Sequence, residues 1–233
     1  MSMTPQRGYA ICTVPRSGSN LLCQFLTSTD SIGKPLEYFN AGARRVLDDP
    51  LYPDAPADQI RRILTTGATS NGVYGLKLFF DQHSAIMPVL DWTKVLPRLS
   101  YIYLQRHDRL GQALSWARAI QTSQYRSTQP VVGQPSYDGA LLARLCEDVD
   151  RGYAQWAAFF ASRGLSPLTI VYEDFVAAPQ TTIDSVARLM SVHPVPKIRP
   201  VRIDLTIQRD RTTQEWRERF LREQAGGSRS DSR

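Results

Sequence analysis

A short polar loop near the start of the chain has the residue types that bind an oxyanion. Between the apolar run Tyr9–Val14 and a helical pattern that begins at Asn20, the chain has Pro15, Arg16, Ser17, Gly18, Ser19 and Asn20. The N-terminus of a helix directs free N–H groups and the positive end of the helix dipole at an anion. Gly18 allows a close approach of the backbone, and the Arg16 guanidinium can bind two oxygens at once. An ordinary Ser- and Gly-rich turn is the alternative.

Two side chains further along the chain are candidates for acid–base and charge-stabilising chemistry. Glu37 precedes Tyr38 and Phe39, whose rings are expected to exclude water and raise the pKa of its carboxyl group towards working pH. A solvated glutamate beside an aromatic core patch is the alternative. Lys77 lies in an apolar strand pattern, where lysine is rarely buried without a partner. Its ammonium group either reaches an anionic ligand or extends to the surface.

Arg106 and Ser115 lie where a strand pattern meets the helix that follows it. Arg106 ends the strand pattern, and Ser115 lies about two helical turns into the helix. The alternative for Arg106 is a surface arginine at the end of a strand.

The elements that position these residues alternate between strands and helices. Buried strands are predicted at Tyr9–Val14, Val73–Phe80, Tyr101–Leu104 and Leu168–Tyr172. Helices are predicted from Asn20, after an N-cap at Asp108, and over Tyr137–Ser162 and Thr181–Met190. Loops are predicted at Asp48–Asp58 and Thr122–Ser136, the second long enough to act as a lid. The alternation predicts an α/β fold with a mainly parallel central sheet flanked by helices, which binds ligands at the carboxyl ends of its strands.

Length and composition exclude several classes of protein. With 233 residues, 42% of them hydrophobic and 21% charged, the chain can bury a substantial core, which excludes a disordered protein. We expect a single domain over residues 1–225 and a disordered tail over the polar residues 226–233. The net charge of +6 permits nucleic acid, an anionic surface or a small polyanionic ligand as partner, but no nucleic-acid-binding motif occurs.

The chain has the features of a cytoplasmic protein. Residues 1–8 contain no apolar signal segment, and no apolar run approaches the roughly 18 residues of a membrane span. Cys12, Cys23 and Cys146 form no CxxC pair and are expected to be reduced thiols. The three histidines lack metal-binding spacing, so we expect no metal site.

Five segments along the chain match the motifs of one enzyme family. They are the PRSGSN loop, GKPLEYF at Gly33–Phe39, NGVYGLK at Asn71–Lys77, the stretch Arg106–Thr122, and QRDRTTQEW at Gln208–Trp216. In this order they resemble the bacterial trehalose 2-sulfotransferase and nodulation-sulfotransferase group. These enzymes use 3′-phosphoadenosine 5′-phosphosulfate (PAPS). The similarity extends from about residue 9 to about residue 222.

The resemblance implies a sulfotransferase fold with a P-loop-like domain that binds PAPS. It assigns the loop from Pro15 to Asn20 to the 5′-phosphosulfate, and Arg106 with Ser115 to the 3′-phosphate. It also implies cofactor contacts at Gln208 and Arg209, although Ile207 stands where the group often has arginine. No metal ion is implied, because the loop and the arginines supply the charge stabilisation.

The resemblance also implies which residues act on the acceptor. Glu37 matches the catalytic glutamate and is expected to be the general base, with Arg16 and Lys77 as the cations of the reaction site. The residues expected to contact the acceptor are Lys34, Tyr38, Phe39, Trp116 and Arg126. Lys34 stands where trehalose-type members commonly have an acidic residue, which puts trehalose itself in doubt as the acceptor.

The leading hypothesis is therefore a metal-independent, PAPS-dependent carbohydrate sulfotransferase. Its expected partners are a small-molecule or glycolipid acceptor and, from the trehalose-type relatives, a second copy of the chain, with neither nucleic acid nor a membrane span. One alternative is a P-loop nucleotide kinase, which the missing lysine of GxxxxGK[ST] weakens. Another is a non-catalytic polyanion-binding protein.

Overall fold

Four parallel strands form the central sheet, as the alternating pattern predicts. A computed structural model describes residues 7–125, 128–204 and 211–227. The strands are β1 (Arg7–Thr13), β2 (Val73–Phe79), β3 (Leu99–Gln105) and β4 (Leu168–Val171). Their order is β2-β1-β3-β4, and each neighbouring pair is parallel. The predicted α/β fold with a parallel sheet is confirmed.

The internal contacts of the chain group into two units. Within the described residues, the first unit comprises 7–107 and 152–204, and the second comprises 108–125, 128–151 and 211–227. The sheet belongs to the first unit. The helices of the first unit are α1 (Ser19–Ser28), α2 (Ala41–Leu47), α3 (Pro56–Thr65), α4 (Phe80–Ile86), α5 (Trp92–Val95), α8 (Tyr172–Ala177) and α9 (Pro179–Leu189), with a 3₁₀ turn at Pro200–Arg202.

The core of the first unit surrounds the central strand. Residues 8–13 of β1 are all buried, as expected of a parallel strand covered on both faces. The apolar side of α1, including Leu22 and Leu26, packs in one cluster with Ile183 and Val186 of α9. The periodic apolar residues of α1 therefore fix this helix against the core, as the pattern from Asn20 onward predicts.

The second unit contains the remaining helices. They are α6 (Arg109–Thr122), the part of α7 (Gly139–Ser162) before residue 152, and α10 (Arg211–Gly227). The predicted N-cap is confirmed, because the Asp108 side chain accepts a hydrogen bond from the Gly111 N–H. Arg217 of α10 donates to both carboxylate oxygens of Asp108, at 2.8 and 2.6 Å. The helix α10 extends to Gly227, so it includes Gly226 and Gly227 of the predicted tail. Residues 228–233 of that tail lie outside the described residues.

Two details differ from the prediction, and two further observations concern the cysteines and the length of the helices. The loop predicted at Asp48–Asp58 is shorter, because α3 begins at Pro56, where a proline suits the first helical turn. Tyr172 begins α8 rather than ending β4. The three cysteines are free thiols. None of the described helices is long and apolar enough to cross a membrane.

Candidate active site

The loop between β1 and α1 has a backbone shape that depends on glycine. Arg16 has a φ of 64° and Gly18 a φ of 86°, so both lie in the left-handed region. Gly18 occupies the N-cap position of α1. A Cβ atom at Gly18 would overlap the ring of Tyr172, which packs against the loop. The loop therefore presents the start of α1 in a conformation that only glycine permits without strain.

Two polar side chains of the loop are buried and two are partly exposed. Ser17 is fully buried, and its hydroxyl oxygen lies 2.8 Å from that of Thr13. The Ser17 side chain therefore stabilises the loop, and only its backbone N–H suits the anion contact predicted from the sequence. Ser19 is also buried, whereas Arg16 and Asn20 are half-buried.

Arg106 lies against this loop. Its guanidinium donates to the Arg16 carbonyl oxygen at 3.2 Å and stacks over Tyr172, 4.9 Å from the ring centroid. Its backbone N–H donates to the Tyr153 hydroxyl group at 3.1 Å. The end of β3 is thus joined to the loop after β1, as expected of two neighbouring parallel strands that end at one edge of the sheet.

Glu37 and Lys77 form a buried ion pair beside the loop. The Lys77 ammonium lies 2.6 Å from Glu37 Oε1 and donates to Asn20 Oδ1, also at 2.6 Å. Lys77 is 2% exposed and the Glu37 side chain 16% exposed. The Lys77 backbone N–H donates to the Leu36 carbonyl oxygen at 2.9 Å, which fixes the segment before Glu37 along β2. Lys77 of β2 therefore holds both the backbone at Leu36, directly before the candidate base, and the Glu37 carboxylate.

Two residues that the sequence analysis missed complete the contacts of Glu37. The Asn40 amide donates to Glu37 Oε2 at 2.9 Å, and its oxygen accepts from the Ala43 N–H at the start of α2. The Gln82 amide donates to the same carboxylate oxygen at 3.2 Å, and its oxygen accepts from the Phe79 N–H. Asn40, three residues after Glu37 and before a helix, had a recognisable N-cap signal. No sequence signal connects Gln82 to Glu37.

The predicted rise in the pKa of Glu37 is wrong. Burial does raise the pKa of this carboxyl group, but the Lys77 charge and the hydrogen bonds from Lys77, Asn40 and Gln82 outweigh it. Together they lower the pKa from 4.5 to about 2. Glu37 is therefore a carboxylate throughout the physiological pH range, with its charge balanced by Lys77.

Comparison with known proteins identifies the family. The family model described as "Stf0 sulphotransferase" matches residues 8–223, which is most of the chain. The chain belongs to this family. Family membership makes the protein an enzyme that transfers a sulfuryl group. It therefore argues against both alternatives, the P-loop kinase and the non-catalytic polyanion-binding protein.

Two curated relatives of this sulfotransferase are similar over nearly their whole length. The trehalose 2-sulfotransferase of Mycobacterium tuberculosis is 26% identical, with 93% of this chain and 95% of the relative covered. The trehalose 2-sulfotransferase of Mycolicibacterium smegmatis is 28% identical, with coverages of 92% and 94%. The resemblance inferred from the five segments is confirmed.

Solved structures show that the sulfotransferase has the expected fold. The sulfotransferase domain from the curacin biosynthetic pathway matches with a TM-score of 0.52 and 21% identity, over 90% of this chain and 80% of that one. A sulfotransferase from Alicyclobacillus acidocaldarius matches with a TM-score of 0.52 and 12% identity, over 90% and 89%. At these identities the likeness concerns the fold alone.

The predicted acceptor residues of this sulfotransferase are differently placed in the first unit. Lys34 is exposed, whereas Tyr38 is 1% exposed and donates its hydroxyl hydrogen to the Lys34 carbonyl oxygen. Phe39 is also buried and packs against Trp92. Burial of both rings favours a role in supporting the turn that carries Glu37 over the acceptor contact predicted from the sequence. Lys34 is exposed, and its contact with the acceptor stays a prediction.

The other predicted site residues do not belong to the first unit. Ser115 and Trp116 lie on α6 of the second unit, where Trp116 packs against that unit's apolar cluster. The pairing of Ser115 with Arg106 at a phosphate therefore stays a prediction. Arg126, Gln208 and Arg209 lie outside the described residues, and their predicted contacts stay predictions too.

Proposed function

We propose that this sulfotransferase transfers the sulfuryl group of PAPS to a hydroxyl group of a carbohydrate, free or in a glycolipid, with Glu37 as the general base. The observation that carries the proposal is the shared contact of Lys77 with Glu37 and Asn20, both at 2.6 Å. Through it, a buried carboxylate lies beside the glycine loop that leads into α1. A base and an anion-binding loop at one edge of a sheet are the two parts that sulfuryl transfer requires.

The loop fits the sulfated end of PAPS. Its left-handed residues, Arg16 and Gly18, directly precede the first N–H groups of α1, which suit an oxyanion. The Arg16 guanidinium adds a charge that matches a phosphate or sulfate oxygen pair. Arg106 with Ser115 is proposed to bind the 3′-phosphate, and Gln208 with Arg209 to contribute further contacts. Arg106 also supports the loop through the Arg16 carbonyl group.

The chain's own residues then act on the acceptor. PAPS supplies a sulfuryl group on a phosphate leaving group, so that adenosine 3′,5′-bisphosphate is released when the new oxygen–sulfur bond forms. Glu37 accepts the proton that the acceptor hydroxyl group loses. The Arg16 guanidinium and the loop N–H groups stabilise the negative charge that shifts towards the phosphate. Asn40 and Gln82 keep the Glu37 carboxylate oriented, which preserves its geometry between turnovers.

The acceptor class is proposed from the relatives. Both curated relatives are named for trehalose, a disaccharide, which favours a carbohydrate hydroxyl group. The exposed Lys34, in the turn before Glu37, replaces the acidic residue expected in trehalose-type members, which favours a different carbohydrate. A homodimer and a cytoplasmic location stay predictions of the sequence analysis.

Two measurements test this function. Adenosine 3′,5′-bisphosphate is expected to raise the melting temperature, because a ligand of the native state stabilises it. Stabilisation by ATP–Mg²⁺ with no response to the bisphosphate would refute the donor. Labelled PAPS with a panel of mono-, di- and glycolipid carbohydrates, followed by mass spectrometry, is expected to label a carbohydrate hydroxyl group. Label on no member of the panel would refute the acceptor class.

The role of Glu37 has its own variant. Glu37→Gln is expected to retain the bisphosphate-induced stabilisation and to lower turnover by a factor on the order of 10²–10⁴, because a positioned base contributes about that much. Glu147→Gln is the matched control, since Glu147 is an exposed glutamate of α7 and its substitution is expected to leave turnover unchanged. Unchanged turnover in Glu37→Gln would remove Glu37 from the role of base.

A further inference from the structure

One buried ammonium group connects the candidate base to the loop from Pro15 to Asn20, called the anion loop below. Lys77 donates to Asn20 Oδ1 on one side and contacts Glu37 Oε1 on the other, at 2.6 Å each. Its Nζ atom also lies 5.2 Å from the centroid of the Phe79 ring. An ammonium group has three N–H donors. Within the described part of the chain two of them have acceptors, Asn20 and Glu37, so a third is available to a ligand oxygen.

The polar contacts of Glu37 come from three elements. Lys77 belongs to β2, Asn40 lies at the start of α2, and Gln82 belongs to α4. Of these three contacts, only Lys77 carries a charge. The basicity of Glu37 therefore depends on how closely this one ammonium group stays beside it, since the amide contacts are neutral.

The present arrangement favours a resting state. A carboxylate whose charge is fully balanced by a buried ammonium group has little tendency to accept a proton. Burial acts in the opposite direction and would make Glu37 more basic if the Lys77 charge were drawn elsewhere. A phosphate or sulfate on the loop is an anion near Asn20, and it would compete with Glu37 for the same ammonium group.

We propose that Lys77 couples occupancy of the anion loop to the basicity of Glu37. An anion bound at the loop draws the ammonium group, which already contacts Asn20, away from Glu37 and towards the anion, and the carboxylate becomes a competent base only when the donor is in place. Lys77 thus prevents unproductive proton uptake by Glu37 in the free enzyme. This inference rests on the proposed function, because it requires a loop that binds the phosphosulfate end of PAPS.

The titration of Glu37 can be observed directly. The chain has six glutamates, so protein labelled with ¹³C at the glutamate carboxyl carbon gives a simple NMR spectrum, in which Glu37→Gln identifies the Glu37 signal. Adenosine 3′,5′-bisphosphate serves as the loop ligand, since it carries the 5′-phosphate and no transferable group. We expect the Glu37 signal of the free enzyme to stay constant from pH 5 to 8. With the bisphosphate bound we expect it to titrate within this range, an increase of about a thousandfold or more in proton affinity over the free enzyme.

Lys77→Met distinguishes an effect that acts through Lys77 from the direct effect of the ligand's negative charge on the titration of Glu37. In this variant we expect Glu37 to titrate between pH 5 and 8 without ligand, and the bisphosphate to shift its midpoint less than threefold in proton affinity. A ligand-induced shift as large as in the wild type would overturn the inference, because Lys77 would then have no part in it. If Lys77→Met does not fold, Lys77→Gln, which keeps an N–H donor but carries no charge, makes the same comparison with the same expected and contradicting results.

The outcomes distinguish the two proposals. If the bisphosphate raises the melting temperature and the wild-type Glu37 signal stays constant, the coupling is overturned while the proposed function stands. If the bisphosphate does not bind at all, both are overturned. Binding together with a titration that depends on Lys77 supports both.

Discussion

The buried carboxylate of Glu37 is expected to make the stability of the protein depend on pH in a defined way. The pKa of Glu37 is about 2 in the folded protein and 4.5 as its ordinary value. A folded value below the unfolded one means that the carboxylate stabilises the fold above pH 4.5, and that this stabilisation is lost as the pH falls towards 2. The difference corresponds to about 3 kcal/mol of unfolding free energy at neutral pH.

Glu37→Gln removes this pH-dependent term. At pH 3 about 2 kcal/mol of the Glu37 contribution is already lost, because the unfolded chain binds the proton far more readily than the folded one. We therefore expect the difference in unfolding free energy between wild type and Glu37→Gln to shrink by about 2 kcal/mol between pH 7 and pH 3. Urea unfolding at pH 7, 5 and 3, with the unfolding slope checked for constancy, measures this difference.

The exposed Glu147 supplies the control for this experiment. Glu147→Gln is expected to follow the wild-type stability curve across the same pH range, since its carboxylate lies at the surface. A difference between wild type and Glu37→Gln that stays constant from pH 7 to pH 3 would refute the reasoning. It would mean that Lys77 does not hold the Glu37 carboxylate in its charged form.

Two further substitutions test the loop and the second unit. Gly18→Ala is expected to lower the unfolding free energy by about 2 kcal/mol or more and to weaken bisphosphate binding, because the left-handed φ and the overlap with Tyr172 both oppose a Cβ atom. Gly42→Ala, in open space on α2, should be neutral or slightly stabilising, and equal effects at both glycines would contradict this. Asp108→Ala is expected to cost about 1–3 kcal/mol by thermal or urea unfolding, because it removes the cap of α6 and the Arg217 partner. Asp108→Asn, which keeps a capping side chain, should cost less than Asp108→Ala.

Much of the fold follows from the sequence because its signals are local. The strands, the helix after the loop and the Asp108 cap all lie where apolar periodicity and capping residues predict them. The short helices α2, α4, α5 and α8 were not predicted, since each has at most seven residues, too few for a periodic pattern to stand out. The position of β1 between β2 and β3 could not be predicted from the sequence either. It results from the crossover connections between strands and not from any local preference.

The sequence predicts which residues form the site better than it predicts the electrostatic interactions between them. Glu37 and Lys77 were both candidates, but nothing in their types or spacing shows that they pair across forty positions of the chain. Without that pairing, burial alone suggested a raised pKa, and the sign was wrong. Gln82 was missed for the same reason, since its contact with Glu37 exists only once the start of α4 and the turn before α2 are side by side.

The packing of Tyr172 under Gly18 has a consequence for how the protein folds during synthesis. The shape of the loop depends on Arg106 and Tyr172, which are synthesised about ninety and one hundred and fifty residues after it. The strand β1 likewise gains its two neighbours only after residues 79 and 105 have been made. Such long-range pairing slows folding, since distant segments must meet before any contact is gained. The anion loop therefore acquires its final form late, and ligand binding would report completed folding of the first unit.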